Sequence, residues 1–163
     1  MVAVDLPGPV AAFLAAYDAQ DTGAVRACCA PDVHYEDPLT PAPLEGVDAL
    51  TDHLRAAWAA FPDGRLEPTG AVPRTGAVLA APCKLVATHR GPVGPLPATG
   101  RFLVAHALLY AELDADGTRL WRVRAFYDAY GAATQLGALP RPGTAGQRAL
   151  MVLQGFGAAR RRL

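Results

Sequence analysis

The sequence is short of several things, and each shortage removes a class of explanation. Lysine is nearly absent: Lys84 is the only one, and the remaining basic charge is arginine. Net charge at pH 7 is zero, so the chain as a whole carries no electrostatic footprint for nucleic acid. Cysteine is confined to Cys28, Cys29 and Cys83, with no Cys-x-x-Cys spacing. This is neither a disulfide framework nor a zinc knuckle, so the three read as small buried hydrophobes and no metal site is expected. Hydrophobic residues make up 52% of the chain, yet no run approaches the ~20 apolar residues of a membrane span. Met1-Val2-Ala3-Val4-Asp5 lacks the basic region of a secretory signal, which leaves a cytoplasmic protein as the expectation. At 163 residues the chain fits one domain, large enough to bury a core unaided.

Against this background of Ala, Leu, Val, Gly and Pro, one stretch gathers chemistry: Pro31-Asp32-Val33-His34-Tyr35-Glu36-Asp37-Pro38. Pro38 biases Asp37 toward extended backbone. In an extended segment Tyr35 and Asp37 share one face, with His34 and Glu36 on the other. If the first face looks into an apolar pocket, burial raises the pKa of Asp37 and makes it a general base near neutrality. The alternative is that Asp37 is a solvated residue opening the turn Pro38-Leu39-Thr40-Pro41-Ala42-Pro43.

Before this stretch, Pro7–Gln20 reads as a helix with Val10, Phe13, Leu14 and Tyr17 on one stripe. The Tyr17 hydroxyl is either a pocket donor or a tip reaching solvent. Ala24–Ala30 is a short second helix ended by Pro31, and Asp48–Phe61 a third, with Leu50, Leu54, Ala57, Trp58 and Phe61 on one face. His53 falls off the strict stripe and reads as a surface or boundary residue. The period then changes. Residues 65–72, 77–88, 100–113 and 119–127 read as strands, with hairpin signals at Thr75-Gly76 and Asp114–Gly117. In the third of these, Phe102, Val104, His106, Leu108 and Tyr110 form one face; the other is equally apolar, so the strand is expected to be covered on both sides. His106 is then a core histidine satisfied by a neighbour or a donor that polarises a substrate oxygen. In the fourth, Trp121, Val123, Ala125 and Tyr127 share a face opposite Arg122 and Arg124. Asp128 is placed to cap a short helix or to act in chemistry. Residues 1–140 form the expected domain. Residues 141–163 form a tail with a possible helix at 145–154, ending in Arg160-Arg161-Arg162.

The element order and several motifs together resemble the SnoaL-like polyketide cyclases of the NTF2-like superfamily, with ketosteroid isomerase as a more distant relative. The motifs are Ala30–Pro38, Phe61-Pro62-Asp63, Ala87–Gly91, Leu96–Arg101, Phe126-Tyr127-Asp128 and Gln135-Leu136-Gly137. The resemblance implies a cone-shaped α+β fold, three N-terminal helices packed on a curved antiparallel sheet. It also implies one pocket, no cofactor and a homodimer formed through the sheet. Glu36-Asp37-Pro38 matches the isomerase's base in residues and context. The isomerase's oxyanion-stabilising acid falls close to Leu108, two residues from His106 on the same face, and its helical tyrosine aligns near Phe13. Where the aldol-type cyclases carry an acidic residue, this chain has Ala125.

The expected function is a cofactor-independent cyclase or isomerase acting on a small apolar, polyketide-like substrate, with no nucleic-acid or membrane partner. Asp37 would take a proton beside a carbonyl, and His106 would hold the developing oxyanion, assisted by Tyr17 or Tyr35. Phe13, Trp58, Val104, Leu108, Trp121 and Tyr127 would form the walls. Two competitors remain: hydrolytic opening of an epoxide by Asp37, Arg124 and Asp128, and a module that binds a small ligand or a partner without chemistry.

Overall fold

The computed structural model describes residues 8–155. Helix α1 (Gly8–Asp18) buries Val10, Phe13, Leu14 and Tyr17, the stripe that three- and four-residue steps dictate. Helix α2 (Thr22–Cys28) is capped by Asp21, whose carboxylate accepts from the Gly23 and Ala24 N–H groups. The chain turns extended at Cys29, so α2 ends before Pro31, not at it. Pro31 lies inside strand β1 (Cys29–Glu36). It is tolerated there because the ladder is broken around it: the paired positions jump from Cys29 to His34. After a two-residue strand β2 (Leu44–Glu45), helix α3 (Val47–Ala60) buries Leu50, Leu54 and Trp58.

The rest is mainly sheet: β3 (Arg65–Pro68), β4 (Arg74–Thr75), β5 (Val78–Thr88), β6 (Phe102–Leu113) and β7 (Leu120–Tyr127), then helices α4 (Ala129–Leu136) and α5 (Ala145–Leu153). The curved sheet runs β2-β1-β7-β6-β5-β3, with β4 pairing β5. All pairings are antiparallel except one: β1 lies parallel to β7. This is the mixed helix-and-sheet architecture expected, with one parallel strand added by the Asp37 stretch. No helix among the described residues is long and apolar enough to cross a membrane.

One sheet face holds the core. Leu103, Ala105, Leu109, Ala111, Val123 and Ala125 point inward toward the helices and are buried. The opposite face of β6 and β7 is not covered, contrary to expectation. Phe102, Leu108 and Phe126 are 59%, 40% and 54% exposed there. Leu108 and Phe126 are direct cross-strand partners, so their side chains form one apolar patch.

Candidate active site

A cavity of about 320 Å³ lies between the concave sheet face, α1, α3 and α4. Its size falls in the range of small-molecule sites. The space exists because the inward positions carry small side chains. Ala105, Ala107 and Ala125 line it from the strands, and Ala129, Ala132 and Ala133 from α4. Polar groups are few: Tyr17, Tyr35, Asp37, His53 and Tyr127 are the polar residues on its wall.

Asp37 is the centre of that group: it faces the cavity and also caps the turn that follows it, without being solvated. Its Oδ1 caps the following turn, accepting from the N–H of Leu39 at 2.7 Å and of Thr40 at 3.1 Å. Its Oδ2 meets the Tyr35 hydroxyl at 3.1 Å and His53 Nε2 at 2.8 Å. The Thr40 hydroxyl fastens the turn by donating to the Asp37 carbonyl at 2.9 Å. The carboxylate is only 7% exposed. Burial acts to raise its pKa, but the hydrogen bond and charge of His53, the Leu39 N–H and the Tyr35 hydroxyl outweigh it and hold Asp37 below the usual carboxylate range. The expectation of a raised pKa is thus reversed, because four donors satisfy the charged form.

The imidazole of His53 is a site residue that the sequence reading set aside. It lines the cavity, and its ring lies 5.4 Å from the Tyr35 ring, centroid to centroid. Among the described residues none bonds to its Nδ1. The signal was available: Leu50, His53, Leu54 and Ala57 follow the i, i+3, i+4, i+7 pattern of one helix face.

The three tyrosines stay protonated well above neutral pH. Tyr17 is pushed up to about 12 by burial and then by the charges of Asp18 and Asp37. Burial, then Asp37, raises Tyr35 and Tyr127 as well. The hydroxyls of Tyr17 and Tyr127 bond to no protein group among the described residues, which leaves both as donors for an occupant of the cavity.

The structure therefore brings Asp37, Tyr17, Tyr35, Phe13 and Tyr127 to one cavity and separates the other expected residues from it. His106 is exposed on the outer face of β6, opposite Lys84, and Val104 and Leu108 share that face. Strand parity fixes this, since Leu103, Ala105, Ala107 and Leu109 take the inner face. Trp121 leaves the Val123–Tyr127 face because the β6–β7 ladder slips between Glu112 and Leu113. Its ring packs edge-on against His34 at 5.4 Å, with the Arg122 guanidinium 4.8 Å from its centroid. Trp58 is buried and packs edge-on against Tyr17 at 6.0 Å, supporting that tyrosine from outside the cavity wall. Arg124 pairs with Glu36 at 2.9 Å on the outer face. Asp128 caps α4, accepting from the Gly131 N–H at 2.8 Å. The Asp37–Arg124–Asp128 set is accordingly not assembled. Among the described residues no three His, Cys, Asp or Glu side chains are gathered as metal ligands would be.

Several solved structures share this fold. TsrD of Streptomyces laurentii is 24% identical, superimposes with a TM-score of 0.71, and covers 83% of this chain and 100% of its own. IdmH of Streptomyces antibioticus, described as a putative polyketide cyclase, is 22% identical with a TM-score of 0.68, over 79% of this chain and 96% of its own. A protein of Catenulispora acidiphila with a ketosteroid isomerase-like fold is 15% identical with a TM-score of 0.70, over 82% and 95%. No curated protein matches. The sequence pattern of the SnoaL-like domain matches residues 10–120, more than half of the chain. On that match, this protein is a member of the SnoaL-like domain family.

Proposed function

We propose that this protein catalyses a cofactor-independent ring closure or isomerisation of an apolar, polyketide-type intermediate, with His53 as the proton-transfer group and Asp37 as its anchor. The observation that carries the reading is the use of Asp37: both oxygens are engaged, and one of them holds His53 at 2.8 Å. A carboxylate so satisfied is a poor proton acceptor but a good partner for an imidazole. It fixes the proton on Nε2, leaves Nδ1 to take a proton from the substrate, and stabilises the imidazolium that forms. Tyr17 and Tyr127, kept protonated, would donate to the oxygen on which charge develops. The alanine-lined remainder of the cavity would fold the substrate's apolar body. The lack of an acid at Ala125 suits a conjugate-addition, pericyclic or proton-shuttling step better than an aldol closure.

The test is deuterium uptake from D2O at the α-carbon of an apolar ketone such as 2-tetralone, followed by NMR. Wild-type protein should accelerate uptake. H53Q should abolish the acceleration, and D37N should lower it by roughly 10²- to 10⁴-fold, as losing the anchor of a catalytic histidine does. H53Q exchanging at the accelerated wild-type rate removes His53 as the proton-transfer group, and wild-type protein that gives no acceleration leaves a binding module. A partner is part of the same reading: two copies pair through the outer face of β6 and β7, where Phe102, Leu108 and Phe126 stand exposed.

A further inference from the structure

Strand β6 is longer than its neighbour. It pairs with β5 along nearly its whole length, from Phe102 to Glu112. On the other side β7 accompanies it only from Ala107 onward. The first half of β6 therefore has an open edge facing α4. An unpaired strand edge so placed must be satisfied by something.

Gln135 does this with one side chain. Its Oε1 accepts from the Val104 N–H at 3.0 Å, and its Nε2 donates to the Val104 carbonyl at 3.0 Å. The carboxamide thus imitates one residue of a missing strand. Beside it, the Arg101 guanidinium covers Gly137, the left-handed residue that ends α4, so closely that a Cβ there would collide with it.

Little else holds α4. Leu136 is its one buried residue, and the faces it turns to the cavity are the methyl groups of Ala129, Ala132 and Ala133. Alanine burial contributes little apolar area, so the helix belongs to the low-stability end of the fold. Both ends suit a hinge: the helix starts at the Asp128 cap and stops at Gly137, with φ of 80°. Yet α4 forms a full wall of the cavity that contains His53 and Asp37.

We propose that Gln135 is a positioning residue: its carboxamide closes the open edge of β6 and holds α4 as the movable wall through which ligand reaches the cavity. With the latch made, Ala132, Ala133 and Leu136 set the limit of the apolar end. With it broken, α4 swings about Asp128 and the cavity exchanges its contents. This rests on the cavity being a ligand site, but not on proton transfer by His53.

The experiment compares wild-type protein with Q135L, which keeps the length and helix preference of the side chain but cannot pair with Val104. Gln135 is exposed, so the fold should survive, with a thermal midpoint lowered by no more than about a few degrees. Amide exchange over residues 129–138 and at Val104 should rise on the order of tenfold, the worth of one or two partly exposed hydrogen bonds. Stopped-flow binding of 8-anilinonaphthalene-1-sulfonate should show association and dissociation rates rising together by a similar factor. Affinity should stay within about threefold, because the latch acts on the barrier more than on the bound state. Wild-type exchange rates in Q135L overturn the proposal, as do faster amide exchange with unchanged probe kinetics or a change in affinity carried by one rate alone. Should the probe not bind, amide exchange decides in the same two directions. Amide exchange in Q135L reads the gate and deuterium uptake in H53Q reads proton transfer, so the two readings can each fail alone.

Discussion

The hydroxyl of Tyr35 and the Nε2 of His53 converge on the same oxygen of Asp37, at 3.1 and 2.8 Å. One donor comes from a strand two residues away and the other from a helix sixteen residues on. Neither element could place the carboxylate alone. The strand sets its direction and the helix brings its partner.

Acid should dismantle this arrangement. Asp37 has a depressed pKa in the folded state, so its contribution to stability is fully present above the unfolded value, about 3.9. It is lost as pH falls through the lower, folded value. D37N should cost about 1–3 kcal/mol at pH 7, the penalty for breaking a buried network. Its deficit should shrink as pH falls through the depressed folded value, where wild-type Asp37 takes up a proton. Urea unfolding at about pH 7 and through the acid range measures both. A deficit independent of pH would show that the charge of Asp37 contributes nothing.

Y35F removes one hydrogen bond and keeps the ring against His53. We expect a loss of about 1 kcal/mol in unfolding free energy and a small rise in the Asp37 pKa, with deuterium uptake lowered severalfold but not abolished. Uptake as low as in H53Q would transfer the central role to the tyrosine.

F126E places a charge in the patch that Phe126 forms with Leu108. Light scattering should give a dimer for wild-type protein and a monomer for the variant. Binding of the fluorescent probe should persist in both, since Phe126 lies outside the cavity. A monomeric wild-type protein at tens of micromolar sinks the pairing.

Ala125 lines the cavity beside Tyr127. A125L should fill space without the usual penalty of about 1–3 kcal/mol for overpacking a tight core. It should weaken probe binding by roughly tenfold or more, read by fluorescence titration, while the unfolding midpoint moves little. A large loss of stability with unaltered binding would mean that the position is packed, not open.

Where one face was apolar and the other polar, the sequence was readable. Tyr35 and Asp37 share a face because strand side chains alternate. Tyr17 joins Phe13 because helical ones recur at four. The reading failed where both faces were apolar. In β6, Phe102, Val104 and Leu108 are as hydrophobic as Leu103, Ala105 and Leu109, so periodicity could not choose between them. His106 went to the inner face for its chemistry, and the parity sent it out. Trp121 was lost to a slip in the ladder, which leaves no mark on hydrophobic pattern. His53 was missed for a different reason: beside Asp52 and among charged residues it looked like surface, although its spacing from Leu50 and Ala57 put it on the buried stripe.

Strand β1 lies alongside β7, and the Arg124–Glu36 contact spans 88 residues of chain. During synthesis, the segment that bears Asp37 leaves the ribosome long before its sheet neighbour exists. The site then waits, in effect, for the last strand. Such distant pairings close late and slowly. A chain cut short after β6 would keep Asp37, His53 and both flanking helices, and would still lack the strand that turns them into one surface.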